Sequence, residues 1–334
     1  MITDERGLAL TTASEEAARA YDALVTRYVK YKADTASWVQ KMLAADPDFA
    51  MGHCAKGYLM MTAFDARRLA NAGQALAEAR RHEAKLTPRE RLHIAALDAW
   101  RRGALAEALE AWEAILETAP QDLFAARLAH LIYFWLGDRR NIREVAARPL
   151  ARWSPELPGY GSMQAMLAFG HEECGDYARA EEAALLSLGQ DRAELWATHA
   201  RAHVMEMQGR AREGAAWLAE EERHWQGCNN MLHHVWWHRA MFHLELGEHD
   251  AVLELYDRKF RDLASPLVKA LPDLYIDIQN AVSMLWRLEH LGVDAGGRWG
   301  ELAEKAAARI GDVQNLFTVP HLVMALAAAG YEAD

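Results

Sequence analysis

Apolar positions recur at helical spacing along nearly the whole chain, and five glycines interrupt them at a steady beat. Gly103, Gly137, Gly175, Gly209 and Gly247 are separated by 34, 38, 34 and 38 residues. Apolar residues three and four apart mark one face of a helix, and a glycine just beyond the last of them marks its end. Each unit then reads as a first helix about four turns long, a glycine turn, and a second helix rich in alanine. An acidic residue often follows the glycine, as in Gly137-Asp138, Gly175-Asp176 and Gly247-Glu248, and second helices begin near Ala104-Leu105 and Tyr177-Ala178. This is the period of tetratricopeptide-type repeats, in which small residues let the second helix approach its partner and large ones fill the space between repeats. The expected fold is all-α: a right-handed α-solenoid of stacked helix-turn-helix repeats forming a single domain over 1–334. Irregular helices occupy 1–86, regular repeats 87–260 and degenerate terminal repeats 261–334.

Boundaries outside the regular repeats follow from capping chemistry. Ser14-Glu15-Glu16 opens a helix with acidic side chains at its positive end, and Thr87-Pro88 sets an N-cap followed by a first-turn proline. Three further helices are expected at about 274–290, 299–310 and 315–330. The last is apolar nearly all round and lacks a polar cap, so a homodimer through this uncapped C-terminal helix is one expectation and a continuation of the solenoid another.

Composition narrows the function classes. With 334 residues, 51% hydrophobic and 25% charged, the chain has ample material for a core. Its formal charge of -11 argues against nucleic acid or an anionic membrane as partner, because a phosphate backbone requires a field of Lys and Arg. Cys54, Cys174 and Cys228 are far apart and form no CxxC, so a reducing compartment fits. The apolar stretch from Val319 to Gly330 is shorter than the ~20 residues that span a bilayer. The expected location is the cytoplasm.

The histidines supply the candidate chemistry. His199 and His203 lie ten and six residues before Gly209, Glu206 three before it, and His234 and His238 thirteen and nine before Gly247. At about 100° per residue these positions fall in a stripe roughly 120° wide, one helix face. First helices of such repeats line a concave groove, so the stripes of adjacent repeats confront the same space. Two histidines at i, i+4 can hold one ion, and a carboxylate nearby can complete the set, so His199, His203, Glu206, His234 and His238 are candidate ligands for a divalent transition metal such as Fe, Mn or Zn. The plain alternative is that the histidines pack between repeats with ring nitrogens satisfied by carbonyls. His130 and Asp277 are candidate proton-transfer groups. His53, Glu173, Trp196, Trp236, Trp237 and His321 are candidate groove residues, the tryptophans as an aromatic wall for a ligand.

The chain resembles the tetratricopeptide repeat protein 38 family. The likeness is carried by Tyr28-Val29-Lys30, Ala45-Asp46-Pro47 with Met51-Gly52-His53, and Leu86-Thr87 with Arg89-Glu90 and Leu92-His93. It continues through Trp112-Glu113 with Ile115-Leu116 and His130 with Tyr133-Phe134, and is strongest at His199, Ala202-His203 and Glu206-Met207, then His234, Trp237-His238, Gly247-Glu248 and Tyr256-Asp257. Ser283-Met284-Leu285 with Arg287-Leu288, and Leu316-Phe317 with His321, complete it. The resemblance implies a tetratricopeptide-like α-solenoid and no settled reaction. This chain differs from the family pattern in ending at Asp334, about a hundred residues of helix early as repeat stacking would have it, and in carrying Asn280 and Val319 where carboxylates are expected.

Two readings stay open. One is a repeat protein whose concave groove binds a protein, peptide or small molecule, the usual role of this architecture. The other is a metal-dependent enzyme acting on a small organic substrate through the histidine and glutamate site.

Overall fold

The computed structural model describes residues 2–81 and 83–331. These residues form eighteen α-helices and one two-stranded antiparallel pair, β1 (Ile2–Thr3) with β2 (Ala9–Leu10), in register Ile2 to Leu10. The all-α, helix-pair architecture expected from the glycine period is the architecture found. The chain divides into two compact units, Met1–Arg201 and Ala202–Asp334, and the boundary falls inside one unbroken helix.

The first unit contains α1 (Glu15–Val29), α2 (Thr35–Ala45), α3 (Ala50–Met61), α4 (Leu69–Arg80), α5 (Pro88–Arg101), α6 (Leu105–Thr118), α7 (Leu123–Trp135), α8 (Arg139–Leu150), α9 (Tyr160–Glu173), α10 (Tyr177–Gln190) and the start of α11 (Leu195–Met207). The sequence signals act as chemistry predicts. Ser14 accepts from the Ala17 amide, and Thr87 and Glu90 close a reciprocal capping box behind Pro88. At the Gly137 turn, the Gly137 amide donates to Phe134 O and the Asp138 amide to Tyr133 O. These are the two bonds of a Schellman cap, which needs the left-handed φ of +69° that glycine adopts without a Cβ penalty. Asp138 then caps α8 by accepting from the Asn141 amide. At this turn one dipeptide thus ends one helix and starts the next, whereas Asp176 and Glu248, which follow Gly175 and Gly247, make no such side-chain cap. Gly170 serves differently: a Cβ there would lie 2.5 Å from Arg143 Cα, so α8 and α9 pack backbone against backbone.

The second unit holds the end of α11, then α12 (Ala211–Glu221), α13 (Met231–Glu245), α14 (His249–Leu255), α15 (Pro266–Ala270), α16 (Tyr275–His290), α17 (Arg298–Ala307) and α18 (Thr318–Ala328). α14 runs into a π-helical turn, Tyr256–Phe260, that sequence periodicity did not indicate. Its core gathers Val252, Phe260, Ile278, Val282, Leu285 and Leu302, with Trp236 and Trp237 packed against it. α18 buries only Thr318, Leu322 and Ala325, and Val323 is exposed, as are Ile310, Val313, Leu316 and Phe317 before it. Among the described residues no helix is long and apolar enough to cross a membrane.

Candidate metal centre

α13 presents His234 and His238 one turn apart, and the second unit's portion of α11 presents His203. Ring centroids of His203 and His238 are 4.4 Å apart, and those of His234 and His238 4.7 Å. One ring nitrogen from each lies within 4.8 Å of the others. His199, one turn earlier on α11, belongs to the first unit. A tetrahedral ion with Zn–N bonds of about 2.0–2.1 Å needs nitrogens about 3.3 Å apart, so small side-chain rotations separate this arrangement from a coordinated one.

The surroundings fix which ring nitrogen faces the centre. His238 Nδ1 donates to Glu206 Oε2 at 2.8 Å, and His234 Nδ1 donates to Asn280 Oδ1 at 2.7 Å. With Nδ1 of each ring engaged as donor, Nε2 is the nitrogen that would meet an ion, and a carboxylate or amide behind the ring is the usual orienting device of histidine metal ligands. Burial, and then the neighbouring charge of His238, hold His234 well below the ordinary imidazole pKa, so it is neutral, the form in which imidazole coordinates metals. Glu206 sits in the last turn of α11, where the helix dipole opposes an anion. Burial would raise its pKa, but the His238 hydrogen bond and the charges of His238, His203 and Arg287 outweigh burial and keep it ionised. Its carboxylate stands behind His238.

The other candidates are distributed more widely. In the second unit, Trp237 stacks on His234 with centroids 5.4 Å apart and planes within 10°, whereas Trp236 stacks on His233 at 5.9 Å with Lys259 above it. Asp277 is fully buried and accepts from His233 Nδ1 at 2.9 Å and from Asn230 Nδ2 at 2.7 Å, a closed network apart from the four histidines. His321 lies on α18, half-buried, with Nδ1 on Phe317 O, its pKa lowered by burial and by the nearby Arg287. In the first unit, Trp196 and Phe169 stack on His199, with centroids 4.6 and 5.4 Å away. His130 is buried between Arg127 Nη1 and Met166 O, and burial holds it neutral well below its ordinary pKa. His53 Nε2 meets Pro47 O at 2.7 Å, and Glu173 is half-buried at the end of α9.

Two residues join the site that sequence reasoning did not select for it: Asn280, behind His234, and Arg287, whose guanidinium lies 5.6 Å from the Trp237 ring centroid. The available signal was the spacing Asn280, Ser283, Arg287, which places all three on one face of α16.

No family model matches the chain. Among solved structures it is similar to one described as the crystal structure of the P58(IPK) TPR domain. The identity is 13%, the match covers 95% of this chain and 89% of that one, and the TM-score is 0.26. A superposition so loose carries no functional argument. The fold rests instead on the helix pairs and Schellman turns described above.

Proposed function

We propose that this tetratricopeptide-like helical-repeat protein, a member of the tetratricopeptide repeat protein 38 family by its motif run, binds a divalent transition metal. His203, His234 and His238 are the ligands, and Glu206 and Asn280 orient the rings of His238 and His234. The observation that supports this reading is the pair of Nδ1 hydrogen bonds behind His234 and His238, two rings that cluster with His203 so that one nitrogen of each lies within 4.8 Å of the others. Three imidazoles set this close together are an arrangement that a cation between them would favour. Imidazole donors suit Zn, Fe and neighbouring ions. Such an ion can polarise an oxygen donor or lower the pKa of a bound water, the basis of a metal-dependent activity on a small organic substrate beside Trp237.

The test is metal content by inductively coupled plasma mass spectrometry of the untagged chain and of a His203→Ala/His238→Ala variant. One ion per chain in the wild type and none in the variant is the expected result. A chain that stays metal-free after reconstitution with Fe²⁺, Mn²⁺ and Zn²⁺ sinks the proposal.

A partner-binding reading draws on a separate observation in the second unit. Ile310 is 76% exposed, Leu316 75%, Val313 61% and Phe317 57%, a cluster of apolar side chains preceding and entering α18. Apolar side chains left exposed so close together in sequence are of the kind that association covers. A second copy is the simplest occupant. Sedimentation that stays monomeric at all concentrations, in the wild type as in Leu316→Glu, removes the homodimer from consideration.

A further inference from the structure

α16 does more than supply Asn280. Asn280 and Arg287 are seven residues apart, two helical turns, so they share a face, and the Asn280–His234 hydrogen bond fixes that face toward α13. Arg287 accordingly reaches α13 at Trp237, the same indole that stacks on His234. Its Nη1 donates to Ser283 O at 2.9 Å, which holds the side chain along the helix, and burial disfavours its charged form. Among the described residues the guanidinium makes no ion pair: Glu206 feels its charge without forming a salt bridge.

The charges around the site do not balance. Imidazole ligands are neutral, so a divalent ion brings its full charge to the group, and Arg287 adds another. The compensating carboxylate, Glu206, is already engaged by His238. A desolvated site with two cationic centres and one committed anion calls for an anionic ligand. A planar guanidinium with most of its donors unspent matches a carboxylate through two parallel bonds, and its stacking on an aromatic face holds that fork in place.

We propose, resting on the metal reading above, that Arg287 on the Trp237 indole is the specificity-determining receptor for the carboxylate of a small organic ligand that also contacts the metal ion. The ligand class is a carboxylic acid. A phosphate would bring about twice the negative charge at neutral pH, more than one guanidinium beside a committed Glu206 calls for.

The full-length chain loaded with Co²⁺ gives the test, because the visible absorption of Co²⁺ responds when an exogenous ligand enters. Acetate is titrated into the wild type, Arg287→Gln and Arg287→Lys, with inorganic phosphate as a parallel arm. All three proteins should retain one Co²⁺ per chain. Acetate should perturb the wild-type spectrum, bind Arg287→Gln at least tenfold more weakly and Arg287→Lys to an intermediate degree, and bind the wild type more tightly than phosphate does. Should Arg287→Gln fail to fold, Arg287→Lys alone decides, since it keeps the charge and loses the fork. Equal acetate affinity in wild type and variant, with Co²⁺ retained in both, overturns the role of Arg287 and leaves the metal site standing. Tighter binding of phosphate overturns the carboxylate class. Absence of Co²⁺ from the wild type overturns the metal reading and this inference with it.

Discussion

His93 in the first unit is fully buried and the second unit's His203, His234 and His238 are half-buried to buried, yet their partners differ in kind. His93 Nε2 meets Asp122 Oδ2 at 3.0 Å, Arg89 Nη1 reaches the same oxygen at 2.7 Å, and the Ala125 amide takes Asp122 Oδ1. Tyr58 donates to the His93 carbonyl, lies 3.3 Å from Nδ1, and itself accepts from Trp112 Nε1. Every polar group there closes onto another protein group of complementary charge. Burial alone would raise the Asp122 pKa, and the charges of His93 and Arg89 instead hold it far below the carboxylate range. In the second unit, Glu206 and Asn280 take the Nδ1 side of His238 and His234, and the rings of His203, His234 and His238 lie beside one another. The first arrangement is complete as protein chemistry. On the proposed metal reading, the second gains from a cation.

Breaking the first arrangement should cost the most. Asp122→Ala removes the partner of the buried Arg89 and the N-cap of α7, and should lower unfolding free energy by about 3–5 kcal/mol in urea titrations while leaving metal content unchanged. A loss under 1 kcal/mol would mean that water replaces the carboxylate and the network is not closed. In the second unit the hierarchy should invert. His238→Ala should weaken metal binding by roughly 100-fold or more, about 2.7 kcal/mol, in competition with a chromophoric chelator, with a smaller change in urea stability of the metal-free chain. If instead the metal-free chain unfolds and residual affinity is unaltered, the histidines are core residues.

Glu206→Gln sharpens the distinction between ligand and orienting group. Glutamine keeps a hydrogen-bond acceptor for His238 Nδ1 but not the charge, so affinity should fall about tenfold, within the range for partners behind a ligand, with one ion per chain retained. Loss of the ion altogether would make Glu206 a ligand after all.

The smallest effect concerns His130. Its folded pKa is depressed well below 6.5 by burial, so below about pH 6.5 the unfolded chain binds the extra proton and stability falls as pH falls toward the folded pKa. The slope is at most about 1.4 kcal/mol per pH unit for one such group. His130→Gln should flatten the pH dependence of urea stability in that window relative to wild type. An unchanged slope would show that His130 titrates alike in both states.

Local chemistry was the legible part of this sequence. The Gly137-Asp138 turn could be read because one dipeptide satisfies both a Schellman cap and the next N-cap, and the pairs His199/His203 and His234/His238 because i, i+4 spacing fixes a shared helix face. The π turn at Tyr256–Phe260 and the short α15 escaped because a charged stretch, Asp257-Arg258-Lys259, carries no apolar period. The β1–β2 pair escaped because two-residue strands show no alternation. The allocation of roles around the histidines depended on contacts 32 and 46 residues apart in sequence, Glu206 to His238 and His234 to Asn280, and on Asp277 turning to His233. No spacing rule encodes those distances, since they depend on how α11, α13 and α16 pack.

The central claim is that three helices deliver histidine nitrogens and their orienting partners to a single ion. Its most direct test is a crystal of the Zn²⁺-loaded chain measured on either side of the zinc absorption edge. The account predicts one anomalous peak, about 2.0–2.1 Å from the Nε2 atoms of His203, His234 and His238, with Glu206 still bonded to His238 Nδ1. Zinc found only at surface carboxylates, with the four rings unmoved, would contradict it.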